Sequence, residues 1–201
     1  MTHNSHKMKF LTIRIQLAFV LILFTGCVLK EPYPKNWSDF NAVKGICPNI
    51  SGSYADEGWV SLSESKKTGG AWHKASLSRT LIAKELEIGE ASHVEIFQEN
   101  PNDIKVIAFS GNEILVEQLF SVEEQDFSCE SGYIEFIGER ECETADGVMA
   151  CATPETHLIR NNRGDLIVKT NSRGFGLVYL IPVYVSQWLW YRFESSSVDE
   201  I

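Results

Sequence analysis

The stretch HVEIFQENPNDIKVIAFSGNEILVEQLF, His93 to Phe120, decides how the rest of the chain is read. Val94 and Ile96 flank the polar Glu95, and Ile104, Val106 and Ala108 share one side of "DIKVIAF", an alternation of period two that marks half-buried strands. "NPND" from Asn100 and "SGN" from Ser110 separate the segments with residues that favour tight turns. Short strands joined this way form an antiparallel meander.

The same pattern extends in both directions. "ISGSYA" lies upstream, and "GYIEFIG", "HLIRN", "DLIVKT", "FGLVYLIPVYV" and "WLWYRFE" lie downstream, with turn signals "NNRGD" at Asn161 and "NSRG" at Asn171. The fold class is therefore mainly β, with about nine or ten strands, enough for the meander to curl into a sandwich or a partly closed barrel. One helix is expected near 77–88, where "LSRTLIAKELEI" spaces Leu77 and Leu81 one turn apart, Ser76 can cap the start and Gly89 stop the end. The preceding "SLSESKKTGG" is small and polar, a loop. No repeat or second domain boundary interrupts residues 47–194, read as a single domain followed by a polar tail at 195–201.

The chain has 201 residues, 44% of them hydrophobic and 22% charged, in the range of one globular domain with an appendage. Its formal charge is −9. An acidic body repels phosphate backbones, so nucleic acid is not an expected partner, and "SKK" at 65–67 is too short to reverse that.

In "CETADGVMAC" the dipeptide Asp146-Gly147 favours a two-residue hairpin. Counting outward, Ala145 opposes Val148, Thr144 opposes Met149, Glu143 opposes Ala150 and Cys142 opposes Cys151. Hydrogen-bonded and non-hydrogen-bonded pairs alternate from the closing pair, which puts the two cysteines at a non-hydrogen-bonded site with Cα atoms about 4.5 Å apart. That separation suits a disulfide.

The N-terminus reads as an address. Lys7, Lys9 and Arg14 precede the apolar run "LAFVLILF" at 17–24, after which come the small residues Thr25 and Gly26. Charged, apolar and small segments in that order make a secretory signal peptide over 1–26. The run of eight is too short to span a bilayer, which takes about 20 apolar residues. "LFTGC" resembles the lipobox of bacterial lipoproteins, with Phe24 where that family usually has Leu, Val or Ile. The resemblance implies that Cys27 accepts a diacylglyceryl group on sulfur, that cleavage falls just before it, and that the new amine is acylated. With those three cations removed from the chain's 18 Lys+Arg, 15 remain against 27 Asp+Glu, and the mature charge is −12. Two or more acyl chains anchor stably. In Gram-negative members an Asp after the lipidated Cys favours the inner membrane; Val28 stands there, so the resemblance implies an outer-membrane protein facing the periplasm.

Residues 27–46 then form the lipidated N-terminus and tether. Pro32 and Pro34 bias "VLKEPYPKNWSDFNAVKGI" toward extended conformations, with a reach of roughly 60 Å at about 3.3 Å per residue. Whether Trp37 and Phe40 float with it or dock on the domain is open at this stage.

Lipid on Cys27 leaves an even set of cysteines, which an oxidising compartment pairs. With Cys142 joined to Cys151, elimination joins Cys47 to Cys129. Intervening gaps of 81, 12 and 8 residues do not match the close Cys spacing of zinc sites, and His73, His93 and His157 form no paired motif, so no metal or other cofactor is expected. "CPNISGSYADEG" resembles the start of the β-rich domain in small Gram-negative lipoproteins, Cys-Pro-x-Ile/Leu-Ser-Gly-x-Tyr, through Cys47, Pro48, Ile50, Ser51, Gly52 and Tyr54. It is also similar in placement to the first strand of lipocalins, but their Gly-x-Trp is missing.

Chemistry-bearing motifs are sparse. Ser63 to Lys66 satisfies Ser-x-x-Lys without the Ser-Asp-Asn and Lys-Thr-Gly elements that accompany it in penicillin-binding enzymes. "SVEEQD" and "GERECE" read as solvated acidic faces. "QWLWYRF" puts Trp188 and Trp190 on one side of a strand, the candidate ligand-binding residues, and Leu189, Tyr191 and Phe193 on the other. The expectation that follows is a non-catalytic interaction module, held to the membrane by the lipid on Cys27 and facing an envelope protein partner. A carrier whose sheet encloses an apolar ligand comes second and an envelope enzyme third. A filled interior favours the first, an open apolar cavity the second, and convergent perturbed groups the third.

Overall fold

The computed structural model describes residues 27–30, 32–61, 74–82, 86–87, 89–138, 140–145, 148–178 and 181–196. The expected signal peptide at 1–26, the Ser-x-x-Lys motif, the expected turn at Asp146-Gly147 and residues 197–201 lie outside them. The protein is mainly β, built as two sheets packed in a sandwich-like arrangement, and among the described residues neither sheet closes into a barrel.

The opening stretch forms the smaller sheet. Strands β5 (His93–Asn100), β6 (Asp103–Ser110) and β7 (Glu113–Ser121) are the expected meander, and β2 (Gly52–Ala55) joins its edge, giving the order β2-β5-β6-β7. The larger sheet runs β4 (Lys74–Ser76), β3 (Glu57–Val60), β13 (Ile181–Phe193), β12 (Leu166–Val178), β11 (Val148–Arg160), β9 (Ile134–Ile137), β8 (Phe127–Ser128). Two further strands join it: β10 (Glu141–Ala145) pairs with β11, and β1 (Cys27–Lys30) lies parallel to β13.

Alternation explains the core. Tyr54, Val94, Ile96, Ile104 and Val106 of the smaller sheet meet Ile134, Leu158, Leu166, Val168 and Phe193 of the larger, all buried. Each such side chain contributes about 1.5–3 kcal/mol of burial free energy. Gly58 permits the closest approach, since a Cβ there would lie 2.4 Å from the Phe193 ring.

The hairpin register is the one counted from Asp146-Gly147, with Cys142 opposite Cys151. Both cysteine pairs stand at disulfide distance, Cα atoms 4.0 Å apart for Cys142–Cys151 and 4.9 Å for Cys47–Cys129. The described helix, α1 (Leu77–Leu81), is capped by Ser76, whose Oγ accepts from the Arg79 N–H; it is shorter than expected, and residues 83–85 and 88 lie outside the described set.

"NSRG" at Asn171 is not a turn. Strand β12 runs straight through it, because Asn171 is buried with its amide donating to Glu155 and accepting from Ser186, so the polar residue is satisfied inside the sheet. Pro154 sits mid-strand without cost for a related reason. On that flank β9 pairs with β11 up to Glu155 and β10 takes over at Ala152, so the proline occupies the gap, where its carbonyl accepts from Gly138.

Candidate binding face on the long strands

Trp188 and Trp190 do share one face of β13, with Tyr191 and Phe193 turned to the core. Their surroundings differ. Trp190 is buried with Trp37, Ile159 and Ile167, and Tyr33, Phe40 and Tyr133 pack around them. The Tyr33 ring meets Trp190, Phe40 and Trp37 edge-on at 5.1, 5.0 and 5.8 Å. Residues 33–42 thus dock on the outer face of the larger sheet, and Asp39 fixes them further by accepting from the Asn162 N–H at 2.9 Å. Gly132 lets this strap pass: its φ is +84°, and a Cβ would meet the Val43 backbone at 2.7 Å. Burial pushes the Tyr33 hydroxyl up to about 12.

Trp188 lies half-buried one rung away. Lys169 Nζ stands 4.0 Å from the centre of its ring and 5.2 Å from that of Trp190, a cation–π arrangement, and the Arg173 guanidinium lies 5.9 Å from Trp188. Register builds the set. Glu135, His157, Lys169 and Trp190 form one rung across β9, β11, β12 and β13; Glu155, Asn171, Trp188 and Lys30 form the next.

Most of the polar capacity is spent internally. Glu155 Oε2 accepts from Asn171 at 3.0 Å and pairs with Arg173 at 3.2 Å, while Glu135 accepts from Ser131 and lies 3.4 Å from His157 Nδ1. His157 Nε2 is the exception, buried and without a hydrogen-bond partner among the described residues, since Glu155 is 4.0 Å away. Burial lowers the His157 pKa, with Glu135 opposing, and burial followed by Lys30 lowers that of Lys169. A neutral imidazole between two carboxylates, with a lysine on a tryptophan face, can hold a planar group or a carboxylate at its rim; among the described residues no three His, Cys, Asp or Glu gather closely enough to hold a metal ion.

A concavity lies on the outer face of the smaller sheet, about 510 Å³, where Phe97, Ile107 and Leu119 are rimmed by Glu99, Asp103 and Lys105. Sequence reasoning found the tryptophans but missed His157, Lys169 and Glu155. The signal was present in "NNRGD": a hairpin there, followed downstream, sets His157 opposite Lys169. Compared with protein-family models, curated proteins and solved structures, the chain matches none.

Proposed function

We propose that this protein is a lipid-anchored domain of the bacterial envelope, held by acyl chains on Cys27 at the outer membrane, facing the periplasm, and working as a non-catalytic interaction module for another envelope protein. The observation that carries the choice of module over carrier is the filled interior. Tyr54, Phe193, Ile96, Leu158 and Leu166 occupy the space between the sheets, where a carrier would need room for its ligand. The concavity beside Phe97, Ile107 and Leu119 opens outward, as surfaces that meet a partner do. Support for the anchor is the Leu-Phe-Thr-Gly-Cys sequence at 23–27 and the even cysteine set it leaves.

Intact-mass measurement on protein from the membrane fraction, without reduction, tests the reading. The expected species begins at Cys27, carries lipid mass and contains two disulfides. A chain beginning elsewhere, or a Cys27→Ala variant retained at the membrane like the unaltered protein, overturns the anchor.

A further inference from the structure

We propose that the free end of the β12–β13 hairpin rests among the acyl chains of the membrane leaflet that holds the lipid on Cys27. The inference deepens the anchored reading and rests on it. From Gly174 to Val185 the sequence is GFGLVYLIPVYV, twelve residues without a charge, an amide or an aliphatic hydroxyl, in a chain of net charge −9. Hairpins facing water join their strands with Asn, Asp or Gly. In the sequence, Tyr179 and Leu180 stand between Val178 and Ile181, the last pair of these two strands.

Among the described residues, nothing of the fold covers this end. Phe175 is 52% exposed and Tyr184 43%, side by side on a rung with Cys151, and Met149 is exposed on the next. On the other face Ala150, Ala152, Gly174, Gly176 and Val183 line an open apolar groove of about 180 Å³. A patch with both faces apolar is costly in water and marks a docking surface.

The occupant follows from where β1 lies. Cys27 is in register with Val185, one of the residues lining the groove, so chains attached at Cys27 start about one strand spacing, ~4.8 Å, from it. An anchored protein cannot hold that edge far from the bilayer. Strand β10, whose sequence ECETA carries Glu141 and Glu143, stands at the opposite side of this end, across β11, β12 and β13 from β1. The charge distribution therefore turns the β12–β13–β1 edge toward lipid and the β10 edge toward water. Tyr184, with an apolar ring and a polar hydroxyl, is of a type that settles at the boundary, and Phe175 beside it is wholly apolar. Each arm has about five uncharged residues, short of the roughly 9–11 a spanning strand needs, so the hairpin enters one leaflet without crossing.

The test uses the full mature protein, purified with its lipid and reconstituted into vesicles of phosphatidylethanolamine and phosphatidylglycerol. A small fraction of phosphatidylcholine bearing a photoactivatable diazirine on one acyl chain is included, and labelled peptides are identified by mass spectrometry. Adducts are expected to concentrate in 174–185, several-fold above the peptides of β5–β7. A Phe175→Glu/Tyr184→Glu variant, altered only at exposed positions, is expected to lose that labelling several-fold while remaining vesicle-bound and keeping both disulfides. Even labelling along the chain, labelling unchanged in the variant, or cross-links between two copies of the hairpin in place of lipid adducts overturns the proposal. Failure of the anchored reading shows separately, as a mature mass without lipid and protein that does not sediment with the vesicles; that result removes the basis of this proposal as well.

Discussion

Strands β11, β12 and β13 are each thirteen residues long, yet their two halves live in different surroundings. Around Leu158, Leu166 and Phe193 the sheet is covered twice, by the smaller sheet inside and by the Tyr33–Ala42 strap outside. Around Cys151, Phe175 and Tyr184 it is covered by neither. The backbone ladder is continuous through both. Hydrogen bonding alone therefore does not distinguish the covered half from the uncovered one; the difference lies in what the side chains touch, and substitutions of the same kind should separate the halves.

The largest contrast is expected from the disulfides. Cys47–Cys129 closes a separation of 82 residues at the covered half and Cys142–Cys151 one of 9 at the uncovered half. Loop-closure entropy makes removal of the first cost about 4–5 kcal/mol and of the second about 2–3 kcal/mol. Urea unfolding of the paired Cys→Ser variants measures both, and an equal or reversed ranking would mean that the strap's end is not held by Cys47–Cys129.

Aromatic truncation comes next. Phe193 is fully buried and Phe175 half exposed, so Phe193→Ala should lose about 3–5 kcal/mol by the same measurement. Phe175→Ala should stay within about 0.5 kcal/mol. A large loss at Phe175 would show that the free end is packed in solution after all, against a second copy.

Glycines sharpen the comparison where the strap crosses the covered half. Gly132 and Gly111 both have positive φ, but only Gly132 has backbone within reach of a Cβ. Alanine at Gly111 should cost about 1–2 kcal/mol from backbone strain. Gly132→Ala should add the displacement of Val43, with a red shift of tryptophan emission as Trp37 and Trp190 become wet.

What could be read from the sequence divides along a related line. The alternation that places Val94, Ile96, Ile104 and Val106 inward is local, and the Cys142–Cys151 register follows from a turn of two residues; both are recovered as expected. The length of β12 was not legible, because Asn171, Ser172, Arg173 and Gly174 carry the composition of a turn and only the neighbours Glu155 and Ser186 make Asn171 a strand residue. The docking of Trp37 and Phe40, left open by the sequence, depends on Trp190 and Tyr133 far along the chain. So does β1, whose parallel partner lies at Val185–Trp188. At the candidate binding face the tryptophans stood out by rarity, whereas Lys169 and His157 acquire meaning only from the rungs they share.

The smallest expected effect is a pH dependence carried by His157. The groups facing it are Glu135 on β9, Glu155 on its own strand, Lys169 on β12, and the rings of Tyr133 and Trp188. With Nδ1 directed at Glu135 and Nε2 buried without a partner, the neutral ring with its proton on Nδ1 fits the site, and desolvation holds the folded pKa below 6.5. Above pH 6.5 the folded and unfolded chains both carry a neutral ring, and stability is at its full value. As pH falls below 6.5 the unfolded chain takes up a proton that the folded chain refuses, so stability is lost down to the folded pKa and then levels off. Urea midpoints measured through that window should therefore fall with pH in the unaltered protein and flatten in His157→Gln. Trp188→Ala opens the ring to water and should return the pKa, followed by NMR of the imidazole, toward 6.5, whereas Phe175→Ala, in the uncovered half of the same sheet, should leave it where it is. A His157 resonance that titrates alike in all three proteins would mean that the rung of Trp188 does not shield it, and that the covered half ends one rung earlier than the packing indicates.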